Sequence, residues 1–169
     1  MARRRDTAPR PTGARARGLR IGIISDTHGL IRPEALDALR GSDHIVHAGD
    51  IGSPAVLTAL RGLAPVTAVR GNNDRGDWAR GLAETEAVEV GGVWLYVLHD
   101  VHALDLDPLA GGFAAVIAGH SHRPLVEQRR GTLFVNPGSA GPRRFTLPIA
   151  VARLSVIEER ISAVVVTLG

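Results

Sequence analysis

Five short stretches of this 169-residue chain carry side chains that can bind cations or move protons. They are Asp26-Thr27-His28, Gly49-Asp50, Gly71-Asn72-Asn73-Asp74, His99-Asp100 and Gly119-His120-Ser121-His122. Carboxylates, amide oxygens and imidazoles offer oxygen and nitrogen donors, and imidazole also exchanges protons near neutral pH. Singly, most of these stretches have a plainer reading. Asp-x-His can be a turn with a surface histidine, and Gly-Asp is a common turn dipeptide. Asn72 and Asn73 suit left-handed turn positions, and His99 can be the polar end of a strand. Gly-His-Ser-His is more informative, because paired histidines at i, i+2 rarely serve a fold. The chain has no cysteine, which excludes disulfides, thiolate metal sites and cysteine nucleophiles.

The elements around these stretches give them a common place. Leu19 to Ser25 is β-branched and nearly continuously apolar, as in a strand buried on both faces. Pro33 to Arg40 reads as a helix, with Pro in its first turn and Gly41 as its stop. His44 to Ala48 is a second strand, a short helix opens at Ser53-Pro54, and Val66 to Val69 is a third strand. Ala87–Val90 and Val93–Leu98 around Gly91-Gly92 form a hairpin. Ala114–Ala118, Leu125–Gln128, Leu133–Val135, Ile149–Leu154 and Ile161–Leu168 complete the strands. This progression predicts an α/β fold of two packed sheets with helices outside. Each of the five stretches then follows or closes a strand. Ligands bind at the carboxyl ends of strands in such sheets, and glycines beside the donors let the backbone turn tightly.

Composition narrows the function classes. The net charge of +3 divides into +5 on residues 1–18 and −2 on residues 19–169. The excess of base thus belongs to an Arg-rich tail predicted to be disordered, and the single domain at 19–169 is mildly acidic. A uniformly basic nucleic-acid-binding domain is disfavoured, though the tail leaves a nucleic-acid partner open. No apolar run is long enough for a membrane span, and no apolar segment follows the arginines as in a secretion signal. The expected location is cytoplasmic.

The order D-x-H, G-D, G-N-x-D, H, G-H-x-H resembles that of the calcineurin-like metallophosphoesterases. The short chain and Asn136-Pro137-Gly138-Ser139 are similar to the small single-domain bacterial and archaeal phosphodiesterase branch. The resemblance spans Leu19 to about Arg144. It implies a four-layer α/β/β/α sandwich with a two-metal site at the sheet edges. One metal would be held by Asp26, His28, Asp50 and His122, the other by Asp50, Asn72, His99 and His120, with Asp50 bridging. The implied cofactor is a pair of divalent ions, manganese favoured, with iron, zinc, nickel or cobalt compatible with a nitrogen and oxygen donor set. The implied reaction is in-line attack on a phosphoester by a hydroxide held between the metals. Asp50, Asn72, Asp74 and His99 would be catalytic. The implied partner is a small phosphoester, and a homo-oligomer is compatible.

Asn73 departs from the wider family, which places histidine there, oriented by the adjacent acid (here Asp74). An amide cannot donate a proton as a general acid, so a diester with a good leaving group is expected to suit this site better than an alkyl monoester. His102 lies three residues beyond His99 and is a candidate to supply part of the missing function. His47 is expected to pack or to support a ligand. Arg123, Arg143 and Arg144 are candidates for substrate phosphate or for surface ion pairs. Asp105 and Asp107 suit a helix start before Pro108. A non-catalytic interaction module is the alternative, because a eukaryotic relative of this fold serves as a scaffold. Seven filled ligand positions favour the enzyme.

Overall fold

The computed structural model describes residues 17–169. The Arg-rich segment expected at 1–18 lies outside the described residues except for its end, where Arg17 donates to Asp43 across 3.1 Å. In chain order the first half holds β1 (Leu19–Ile24), α1 (Pro33–Leu39), β2 (His44–His47), α2 (Pro54–Arg61), β3 (Val66–Ala68) and α3 (Asp77–Arg80). The second half is almost all strand: β4 (Thr85–Val90), β5 (Val93–Leu98), β6 (Phe113–Ile117), β7 (Leu125–Arg129), β8 (Thr132–Asn136), β9 (Ala150–Ile157) and β10 (Arg160–Thr167).

These strands form two five-stranded sheets, ordered β10-β9-β1-β2-β3 and β4-β5-β6-β8-β7. In the first, β1, β2 and β3 run parallel. In the second, β5, β6 and β8 run parallel. The alternation of β1 explains the stacking. Ile21 and Ile23 enter the core between the sheets with Val46, Leu95, Val97 and Ile117. Ile24 faces the other way, toward Leu39 of α1 and Val56, Leu57 and Leu60 of α2. Fully burying each such aliphatic side chain contributes ~1.5–3 kcal/mol, so the two apolar layers hold the parallel strand ends in fixed register.

The result is the expected four-layer α/β/β/α sandwich in a single domain, but the outer layer on the second sheet is thin. It amounts to a three-residue 3-10 helix at Val101–Ala103 and a turn. The helix expected to start at Asp105–Pro108 does not form. The Asp107 carboxylate accepts from the amides of Leu109 and Ala110, and Gly111-Gly112 ends the turn after three residues. Two adjacent glycines cost too much chain entropy to continue a helix. No helix among the described residues is long and apolar enough to cross a membrane.

Candidate metal centre

All five donor stretches meet at one edge of the sandwich. Asp26 and His28 follow β1, Asp50 follows β2 and Asn72 follows β3, while His99 follows β5 and His120 and His122 follow β6. Backbone bonds fasten these loops: Asp26 N donates to Gly49 O at 3.0 Å, and Gly119 N to His99 O at 2.9 Å. Two glycines allow the close approach. A Cβ on Gly71 would overlap the backbone and carboxylate of Asp50, and one on Gly119 would overlap Ser25 and sit 2.7 Å from Asp26 Oδ2. Asp26, His28, Asp50, His120 and His122 all have left-handed backbone, with φ between 48° and 68°. Such conformations cost non-glycine residues ~1–3 kcal/mol each and persist where the surroundings over-determine them.

The donor atoms face one another across short gaps. Asp26 Oδ1 lies 3.3 Å from His122 Nε2, 4.0 Å from His28 Nε2 and 3.9 Å from His99 Nε2. Asp50 Oδ2 lies 3.4 Å from His99 Nε2 and 3.9 Å from His28 Nε2. His28 Nε2 and His122 Nε2 are 3.4 Å apart. His120 Nδ1 is 3.3 Å from His99 Nε2 and 3.2 Å from Asn72 Oδ1. Asp26, His28 and His122 thus form one group with metal-ligand spacing, and Asp26, Asp50 and His99 a second.

A divalent cation fits this arrangement. Neighbouring ligands ~2.0–2.1 Å from an ion sit roughly 2.8–3.4 Å from one another in octahedral or tetrahedral shells. Imidazole nitrogens facing each other at 3.3–3.4 Å need a proton or a cation between them. Asp26 Oδ1 is fully buried without a hydrogen-bond partner. Burial raises the Asp26 pKa, despite Ser25 Oγ donating to Oδ2 at 2.7 Å and the nearby His99 and His122. His99 is pulled down by burial but more strongly raised by its bond to Asp50, the Ala48 carbonyl and Asp26. Its Nδ1–H donates to Ala48 O at 2.7 Å, which leaves the Nε2 lone pair for the centre.

Asn73 holds the Asp50 carboxylate in place. Its backbone N–H donates to Asp50 Oδ1 and its side-chain amide to Asp50 Oδ2, both at 2.8 Å. These bonds and His99 overcome burial and hold the Asp50 pKa well below the ordinary carboxylate range. Asp74 is turned away from the donors. Its carboxylate accepts from the amides of Ile51, Gly52 and Gly71, tying the loops after β2 and β3 together. His102 lies outside the donor cluster, its side chain 88% exposed and 3.0 Å from Asp100. The other Asp100 oxygen is 3.8 Å from His120 Nε2. Arg123 and Arg144 are exposed and carry no ion pair among the described residues. The positive charge of Arg144 adds to burial in lowering the His122 pKa. Arg143 lines a small pocket with Glu34 and Leu168.

His47 is a supporting residue. Thr27 Oγ1 donates to Ile51 O at 2.8 Å, so it must accept from His47 Nε2 at 2.9 Å, while His47 Nδ1 accepts from Gly49 N. Both ring nitrogens are therefore used by the neutral tautomer. Complete burial pushes the His47 pKa down to about 3. The folded-state value is depressed, so the stability this gives is present above pH 6.5 and drains away as pH falls from 6.5 toward 3, at ~1.4 kcal/mol per unit. Proton NMR should show no His47 titration step between pH 5 and 8. A step near 6.5 would refute this reading.

Several supports were not evident among the donor motifs. Ser139 Oγ donates to Asp26 O at 3.0 Å. Asn136 Nδ2 donates to Gly119 O at 2.9 Å and to Ser121 Oγ at 3.1 Å, steadying the His120–His122 loop. The Asn-Pro-Gly-Ser segment was the available signal.

Comparison with known proteins agrees with this geometry. Residues 19–159 match the family model described as the calcineurin-like phosphoesterase superfamily domain. A probable metallophosphoesterase of Methanothermobacter thermautotrophicus is 38% identical over 160 residues, covering 88% of this chain and 92% of its own. A phosphodiesterase of Methanocaldococcus jannaschii is 28% identical over 139 residues, covering 71% of this chain and 83% of its own. The structure of Vps29 complexed with zinc from Entamoeba histolytica shares the fold, with a TM-score of 0.66 and 22% identity over 89% of this chain and all of that one. The chain belongs to the calcineurin-like phosphoesterase superfamily.

Proposed function

We propose that the protein is a metal-dependent phosphodiesterase with two divalent cations, manganese favoured, at the edge of the sandwich. The observation that carries this reading is the convergence of His28, His99 and His122 onto the buried, unpartnered Asp26 Oδ1 and the Asn73-anchored Asp50 Oδ2, with His120 and Asn72 beside His99. Asp26, His28, Asp50 and His122 would hold one ion, and Asp50, Asn72, His99 and His120 the other. The ions would lower the pKa of water and offset charge on the phosphoryl oxygens. Asp50 belongs to both sets because its Oδ2 faces His28 and His99 alike. Ala48 and Asn73 orient the donors from behind, so little reorganisation accompanies substrate binding.

Two features favour a diester. The Asn73 amide, engaged with Asp50, offers no proton to a leaving alkoxide. Two grooves also meet at Asp100 and His120, one running toward Leu125 and Phe134, the other toward Arg70 and Tyr96. A phosphorus centre with two ester arms has room for both. The test is a panel of esters on the metal-loaded protein. Aryl diesters should exceed unactivated alkyl monoesters in kcat/KM by about 10²-fold or more, the usual worth of general acid help. Faster hydrolysis of the monoesters would overturn the diester preference, and hydrolysis of neither would favour an interaction module.

A further inference from the structure

The thin outer layer leaves part of the second sheet's outer face open beside the metal centre. Val116 and Ala118 of this face pack with Val101 and Phe134. Above them Val101, Leu125, Phe134 and Leu147 border a groove of about 610 Å³. One end of it is shared with the centre through His120, Asp100 and Ser121. The far end closes on Arg129, whose guanidinium lies 4.8 Å over the Phe134 ring and donates twice to Glu127. Asp100 is the only carboxylate among the lining residues, and His102 engages it. Leu125 pairs with Asn136 and Arg129 with Thr132, so the strand beside the groove runs four residues, roughly 13 Å, long enough for an aromatic ring and its ester link.

We propose that this groove is the subsite for one ester arm, that it takes an uncharged aromatic arm, and that Leu125 and Leu147 set that preference. The proposal rests on the phosphodiesterase reading and adds the substrate class. Most of its wall area is apolar, its one carboxylate is engaged, and an aromatic ring and an arginine face lie at its far end. Arg123, on the same groove and without an ion pair among the described residues, supplies a cation beside the phosphoryl group. The groove toward Arg70, Glu84 and Tyr96 is left for the other arm.

Two stable anions of equal charge separate binding from turnover: diphenylphosphinate and dimethylphosphinate, whose P–C bonds resist hydrolysis. The zinc-loaded full chain, methyl-labelled at Leu and Val, is titrated with each by NMR. Diphenylphosphinate should bind about tenfold tighter and move the Leu125 and Leu147 methyls, as expected for one partly buried ring. Leu125→Gln should remove most of that preference; the side chain is 38% exposed, so the fold tolerates the change. In parallel, phenyl and methyl esters of p-nitrophenyl phosphate share one leaving group. Their kcat/KM ratio, each corrected for the uncatalysed rate, should be about tenfold in wild type and near one in Leu125→Gln. Equal affinity for the two phosphinates, or unmoved groove methyls, overturns the proposal. Tight diphenylphosphinate binding with no turnover of either ester supports the groove and overturns the phosphodiesterase reading.

Discussion

Asp50→Asn is expected to lower phosphodiester hydrolysis by on the order of 10³-fold and to reduce bound metal from two ions per chain to one at most. The argument is local. Asp50 Oδ2 faces His99 at 3.4 Å and His28 at 3.9 Å, linking the two donor sets. An amide in its place removes the negative charge that two cations would share. It also sets an N–H2 against donors: Asn73 offers its backbone N–H to one oxygen and its side-chain amide to the other. One of those bonds must be lost or reversed. Metal analysis beside an aryl diester assay checks the outcome. Full metal content with full activity would remove Asp50 from its central place.

Removal of both metals is expected to lower the melting temperature by about 10–20 °C, and manganese to restore it. A ligand that binds only the folded state at ~100 times its dissociation constant contributes ~2.7 kcal/mol per site. For a domain of this size each kcal/mol moves the midpoint by ~2–4 °C. The structure gives reasons for a costly metal-free state. Asp26 Oδ1 is buried without a partner, and five of the seven donor residues hold left-handed backbone. Scanning calorimetry with chelator, then with manganese, reads the shift. A midpoint insensitive to both would mean that the donors do not need an ion.

The donors were legible in sequence because each sits just past an apolar run whose period marks a strand. Leu19 to Ile24 is apolar on both sides, and its structure explains why: one side meets the second sheet, the other the helices. Asp26 and His28 had to follow it. What could not be read depended on contacts across the chain. Asn73 reads as the absence of a general acid, whereas its position over Asp50 makes it an anchor for that carboxylate. Asp74 reads as an orienting acid, yet it binds three loop amides, because the amides it meets come from Ile51, Gly52 and Gly71. The four-residue α3 was hidden among turn-forming residues, too short to show a period. The open groove is marked by no single motif, because its apolar residues come from three separate strands, a 3-10 helix and loops. The left-handed backbone at the donors has only a weak side-chain signature: aspartate and histidine are enriched there, but contacts between loops distant in sequence decide which of them adopt it.

Anomalous diffraction from crystals of the manganese-loaded protein tests the two-metal centre most directly. Two peaks are predicted, one among Asp26, His28 and His122 and one among Asn72, His99 and His120, with Asp50 touching both. A single peak, or manganese bound away from these seven residues, would contradict it.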